Sequence, residues 1–136
     1  MGSILNPYVS FNGNAREAME FYQSVLGGEL SVMTFGESGV PDAPADQVMH
    51  AHLHNDAGFT VMASDTPPGM PYVPGQNIAI SLSGDDAEAL RGYFAGLSEG
   101  GSVNIPLEKQ VWGDEFGAVV DRFGIGWMVD ITAAAG

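Results

Sequence analysis

The sequence predicts an α+β fold made of two tandem βαβββ modules, and three observations lead there. From His50 to Asp65, HAHLHNDAGFTVMASD reads as two alternating runs around a tight turn. Two stretches carry apolar residues at helical spacing, each opened by cap residues and closed by a glycine pair. Finally, the second half of the chain repeats the first.

Taken in order, Tyr8 to Phe11 reads as a short strand, followed by an Asn12–Gly13–Asn14 turn with Asn14 expected to cap the next helix. Ala18, Met19, Phe21, Tyr22, Val25 and Leu26 form that helix's apolar stripe, and Gly27 and Gly28 stop it. Glu29 to Phe35 alternates as a second strand, and Gly36 to Gln47 is too rich in Gly, Pro and Asp to be regular. In the third strand His50, His52 and His54 share one face, against Met49, Ala51 and Leu53. Asn55 to Gly58 turn the chain into a fourth strand, where Phe59, Val61 and Ala63 oppose Thr60, Met62 and Ser64. Pro67, Pro68, Pro71 and Pro74 then forbid helix and central strand, which makes residues 67–74 a linker.

IAISLSGDDAEALRGY matches PYVSFNGNAREAMEFY, with Leu82 answering Phe11 and Tyr93 answering Tyr22, each 71 residues on. AVVDRFGIGWMVDI lies against HLHNDAGFTVMASD, with Ala118 under His52 and Met128 under Met62, each 66 residues on. The modules are therefore expected over residues 4–66 and 75–132 of a single domain, 1–136. Alternation places Val9, Phe11, Ile78, Ile80, Leu82, Val61, Ala63, Trp127, Val129 and Ile131 beneath the helices. It places Asn6, Tyr8, Ser10, His50, His52, Thr60, Met62, Ser64, Asn77, Ser81, Phe116, Ala118, Met128 and Asp130 on a concave, half-polar face suited to a small molecule.

Four Lys and Arg against seventeen Asp and Glu give a net charge of −13, which repels phosphate backbones and anionic membranes. Nucleic acid and membrane are accordingly excluded as partners. There is no Cys, hence no disulfide and no thiolate nucleophile. The start, MGSILNPYVSF, lacks a basic region followed by an apolar run, so a soluble, cytoplasmic protein is expected.

The paired modules, the PYVSF-NGNAREAMEFY opening, the VMHAHL strand followed by SD, and the QVWGDEFG and DRFGIGW segments resemble the vicinal oxygen chelate superfamily. This is the glyoxalase, bleomycin-resistance and extradiol-dioxygenase group, and the likeness is to its PhnB-like branch. The resemblance implies a curved, eight-stranded open barrel (the glyoxalase/bleomycin-resistance fold), a homodimer, and a pocket between modules. In metal-dependent members a divalent ion is held by His or Gln, Glu, His and Glu on the first, fourth, fifth and eighth strands. The resemblance places Asn6, Met62, Asn77 and Met128 there. Two amides and two thioethers poorly suit a cation that wants carboxylate or imidazole, so no cofactor and no metal are expected at those positions.

Individual residues carry competing readings. His50 and His52, two apart on one face, are half of a conceivable metal site with Asp130 as third ligand, or acid-base candidates, or ordinary hydrogen-bonding strand residues. His54, at the turn, is expected to be solvated. Met62 and Met128 suit a cavity floor, or plain packing. Trp112 and Phe116 are placed to stack on a ligand, or Trp112 anchors a loop or dimer contact. Asp65 and Asp121 read as turn caps, and Asp85, Asp86 and Glu88 as a charged helix start. The ligand-binding set is thus Tyr8, His50, His52, Met62, Trp112, Phe116, Met128 and Asp130. The leading expectation is a metal-free small-molecule binder that sequesters a drug or toxic metabolite. Its rivals are a metal-dependent glyoxalase- or dioxygenase-type enzyme using His50 and His52, and a metal-free isomerase or lyase.

Overall fold

The structure, a computed structural model, describes residues 2–133, and the chain divides into two compact units, Met1–Pro74 and Gly75–Gly136. The first contains β1 (Tyr8–Phe11), α1 (Ala15–Leu26), β2 (Glu29–Thr34), β3 (Val48–His54) and β4 (Thr60–Asp65). The second contains β5 (Ala79–Gly84), α2 (Ala87–Ser98), β6 (Ser102–Lys109), β7 (Glu115–Val120) and β8 (Gly126–Ile131). Each is a βαβββ module with a four-stranded sheet, in the orders β1-β4-β3-β2 and β5-β8-β7-β6. This is the tandem glyoxalase-type fold. Only the β1–β4 and β5–β8 pairs are parallel, because a helix and two strands intervene between their members.

In the first module α1 buries Ala15, Ala18, Met19, Tyr22 and Leu26, while Phe11, Ala51, Leu53, Val61 and Ala63 form the buried face of the sheet. The second repeats this with Leu90, Phe94 and Leu97 of α2 and Leu82, Val119, Trp127, Val129 and Ile131 of its sheet. Burying large side chains such as Phe11, Tyr22 and Trp127 contributes roughly 1.5–3 kcal/mol each. Ile78, expected beneath a helix, departs from this pattern: β5 begins one residue later and Ile78 is 83% exposed. Met49 occupies a β-bulge, since Met33 faces His50 while Thr34 faces Val48. The bulge lets Val48 be buried without turning His50 into the core.

The first helix is not capped by Asn14, whose side chain makes no cap bond. Asp65, from the end of β4, does the work: its Oδ1 accepts from Gly13 N at 2.8 Å and Ala15 N at 3.0 Å, and its Oδ2 from Val48 N at 2.9 Å. An anion that satisfies several backbone N–H groups at a helix start is more stabilising than a short Asn side chain there. In α2 the cap is local, with Asp86 accepting from Ala89 N at 3.2 Å, as expected.

The two modules match in their tightest contacts. A Cβ on Gly28 would lie 2.3 Å from His54 O, and one on Gly101 2.3 Å from Val120 O. Each glycine lets the strand after its helix pass directly over a hairpin turn. That turn is organised by Asn55 in one module, through Phe59 N and Leu26 O, and by Asp121 in the other, through Phe123 N, Ile125 N and Trp127 Nε1. The strand register corrects one part of the repeat. Met62 faces Tyr8 and Met128 faces Ser81, so Ser81 rather than Ala79 stands where Tyr8 stands, two residues beyond the sequence match. A shift of two keeps every side chain on its predicted face. It also makes Ala79, not Asn77, the counterpart of Asn6.

Two outcomes follow from these contacts. Asp65→Ala should lower unfolding free energy by about 3 kcal/mol and Asn14→Ala by less than about 0.5 kcal/mol in urea titrations. Equal losses would return the cap to Asn14. Gly101→Ala should destabilise by more than about 2 kcal/mol, because the new methyl meets a backbone carbonyl that cannot yield, and a neutral result would refute that approach.

Candidate functional site

With α1 on one face of the first sheet, the other face carries the chemistry. Tyr8, Met62, His52 and Ser31 lie in one row across β1, β4, β3 and β2. His50 is opposite Met33 on β2, and His54 is flanked by Thr60 and Glu29. All three histidines share this face, as the alternation predicts, but the structure distinguishes them. The Tyr8 hydroxyl is 3.2 Å from Nδ1 of His50, with ring centroids 5.7 Å apart and planes tilted by 36°. His54 is exposed, as its place at the turn predicts, and its Nδ1 is 2.9 Å from Thr60 Oγ1. The His52 ring is near-parallel to that of His54, with centroids 6.4 Å apart. Tyr8 and Met33 are about half exposed, whereas His50, His52 and Met62 are partly buried.

On the corresponding face of the second sheet, Ser81, Met128, Ala118 and Ile105 form one row, and Ser83, Asp130, Phe116 and Glu108 the next. Asp130 holds the unusual group. Its Oδ1 is buried without a hydrogen-bond partner among the described residues. Desolvation, then a hydrogen bond to Asp114 and the charge of that neighbour, push the Asp130 carboxyl above the usual carboxylate range. Asp114 is itself fixed by Ala133 N, 3.0 Å from its Oδ1. Trp112 lies 59% exposed in the β6–β7 turn, 6.2 Å from the Phe116 ring and tilted by 59°, so the two aromatics form a contiguous surface. Trp127 is core, with its indole N–H donated to Asp121.

The structure thus gathers Tyr8, His50, His52 and Met62 on the first sheet, and Trp112, Phe116, Met128 and Asp130 on or beside the second. Sequence reasoning missed Asp114, Ser31 and Met33, and it placed Thr60 on this face without its bond to His54. For β2 the signal was available, since its alternation puts Ser31 and Met33 on the face opposite Leu30 and Val32. For Asp114 there was none, because a turn residue has no period. Asn6 precedes β1 and bonds to the carbonyl of Pro7, and Asn77 is exposed ahead of β5. Among the described residues no three His, Cys, Asp or Glu side chains group as metal ligands would. A separate groove of about 630 Å³ runs between the start of α1 and residues 45–48, lined by Arg16, Glu17, Glu20 and Asp46 among others. It contains none of the sequence-predicted site residues. No described helix is long and apolar enough to cross a membrane.

Two successive βαβββ modules, each with its helix on one sheet face and polar groups on the other, define a class of protein. The chain belongs to the Glyoxalase/Bleomycin resistance protein/Dioxygenase superfamily, whose family pattern residues 4–129 match. Protein YjdN of Escherichia coli K12 is 31% identical over 143 residues, covering 94% of this chain and 95% of that protein. The crystal structure of protein PA1353 from Pseudomonas aeruginosa is similar at 40% identity and a TM-score of 0.88, covering 98% of this chain and 100% of that one. A Bacillus cereus structure described as a putative 3-demethylubiquinone-9 3-methyltransferase, PhnB protein, shares the fold at 21% identity and a TM-score of 0.76, covering 96% and 100%.

The Asp130–Asp114 pair makes a pH-dependent prediction. A carboxyl raised in the folded state contributes its stability below its unfolded value, about 3.9, and loses it as pH rises through the raised folded value. Asp130→Asn supplies a permanent neutral donor to Asp114. It should therefore raise Tm at neutral pH and leave it nearly unchanged near pH 4, and a gain of equal size at both would show that the proton is not involved.

Proposed function

We propose that this is a PhnB-like superfamily member that binds a small molecule on its open sheet faces without the divalent metal of its enzymatic relatives, and that it acts by sequestering a drug or toxic metabolite. The donor chemistry carries the reading. The positions that the resemblance assigns to metal ligands hold Asn6, Met62 and Met128, and the fifth-strand position holds Asn77 or, by strand register, Ala79. Amide, thioether and methyl groups do not fit a cation that needs imidazole or carboxylate. The histidines of the first sheet supply no replacement set, since among the described residues no third His, Cys, Asp or Glu side chain groups with them as a ligand would. What remains is a surface of imidazole, phenol and polarisable thioether, which accommodates flat or irregular molecules. The net charge of −13 favours neutral or cationic ones, within the roughly 8–10 Å reach of unscreened charge. The resemblance extends the proposal to a homodimer, which sedimentation would test.

Metal content separates this reading from its rival. Protein purified without a histidine tag or chelator should carry no stoichiometric metal, and zinc, nickel, manganese and iron(II) should leave Tm unshifted. Stoichiometric metal that is lost in a His50→Ala, His52→Ala double variant would replace the binder with a metal-dependent enzyme.

A further inference from the structure

We propose that Tyr8 is a positioning residue that holds the His50 imidazole in the neutral tautomer protonated at Nε2, so that His50 offers an N–H to an acceptor oxygen of the bound molecule. The geometry is a hydroxyl 3.2 Å from Nδ1, from a ring held next to the imidazole in a tilted contact. Two groups that can each donate or accept must settle on a direction. The phenol is the better proton donor, and an imidazole nitrogen the better acceptor than a phenolic oxygen. The bond therefore runs from Tyr8 Oη–H to Nδ1, which leaves the ring proton on Nε2.

No other hydrogen bond to the His50 ring occurs among the described residues, and its neighbour across β2, Met33, has only a weakly accepting thioether. Nothing among the described residues competes for the Nε2 proton. The other two histidines differ. His54 is tied to Thr60, whose hydroxyl rotates to suit either tautomer, and His52 has a ring contact with His54 but, among the described residues, no hydrogen bond. Of the three, His50 alone has a partner that sets which nitrogen carries the proton.

The identity of the pairing partner also selects ligand chemistry, a step that rests on the proposed binding function. An N–H beside half-exposed Tyr8 and the thioethers of Met33 and Met62 matches a flat unsaturated body that carries a carbonyl oxygen. Tyr8 is fixed for this task by its parallel pairing to Met62, which sets its backbone in the sheet while leaving the ring on the open face.

The tautomer is measurable without any ligand. In long-range proton–nitrogen NMR near pH 8, where imidazole is neutral, wild-type His50 should show a bare Nδ1 and a protonated Nε2. Tyr8→Phe should reduce that preference by about fivefold, the factor set by one ordinary hydrogen bond, with His52 and His54 unchanged. An unchanged His50 spectrum, or an equal change in all three histidines, overturns the proposal. Fluorenone serves as the ligand probe, read by infrared. Its carbonyl stretch should fall on binding, the fall should vanish in His50→Ala, and affinity should weaken at least threefold in Tyr8→Phe. Binding without a frequency shift overturns the assignment of His50 as donor. Failure of fluorenone to bind removes the carbonyl ligand class, while the NMR result still decides the tautomer.

Discussion

One buried carboxylate ties the first module together. Asp65 ends β4, yet its two oxygens take backbone protons from the β1–α1 turn and from the start of β3, joining segments up to 52 residues apart in sequence. Hydrogen bonds to a charged acceptor are roughly twice as strong as neutral ones, and leaving the buried donors of Ala15 and Val48 unpaired would cost more than the bonds contribute. The consequence reaches the open face. Holding the end of β4 against both β1 and β3 fixes the register that sets Tyr8 opposite Met62, and so within reach of His50 one strand further on. The second module has Ile131 at the equivalent place. There the helix start is served locally by Asp86, which caps α2, while Asp121 is the counterpart of Asn55: it organises the β7–β8 turn and receives the Trp127 indole proton.

Periodic features were legible from the residues alone. The alternation of His50, His52 and His54 against Ala51 and Leu53 needs only the pleat of a strand, and it put the histidines on the right face. The two helices were legible through their stripes and terminal glycines. Contacts between residues distant in sequence were not. The Tyr8–His50 bond depends on the order β1-β4-β3, and the carboxyl pair of Asp130 and Asp114 depends on where a turn folds back. Asn14 misled because it is a good cap by type, and only a view of Asp65 arriving from β4 shows why it is unused. The two-residue error in the repeat has a similar origin. Leu82 resembles Phe11 as a residue, whereas hydrogen bonding equates Phe11 with Gly84: Thr66 N bonds to Phe11 O and Thr132 N to Gly84 O, both at 2.7 Å.

Superfamily membership settles the scaffold and leaves the chemistry to the side chains on it. In each module the helix consumes one face of the sheet, so every inward alternate residue is committed to packing and every outward one is free to differ. That division explains why Thr60 is buried yet polar: it stands on the open face but is closed off by its bond to His54 at the hairpin end.

Comparing the modules with each other separates the two kinds of residue. Positions that hold the backbone agree: Gly28 with Gly101 at the strand crossing, Asn55 with Asp121 in the turn, and Gly58 with Gly124, both at positive φ. Positions on the open face do not. Strand register sets Tyr8 against Ser81, His52 against Ala118 and Ser64 against Asp130, while Met62 matches Met128 and Ser10 matches Ser83. A sheet used only as scaffold has no physical reason to bury an unpartnered carboxyl oxygen such as Asp130 Oδ1 beside a second carboxyl, since that carries a desolvation cost that a small apolar residue would avoid. The thioether kept in both modules is the complement of that divergence: within each open face it is a soft, adaptable neighbour to polar groups that differ between the modules.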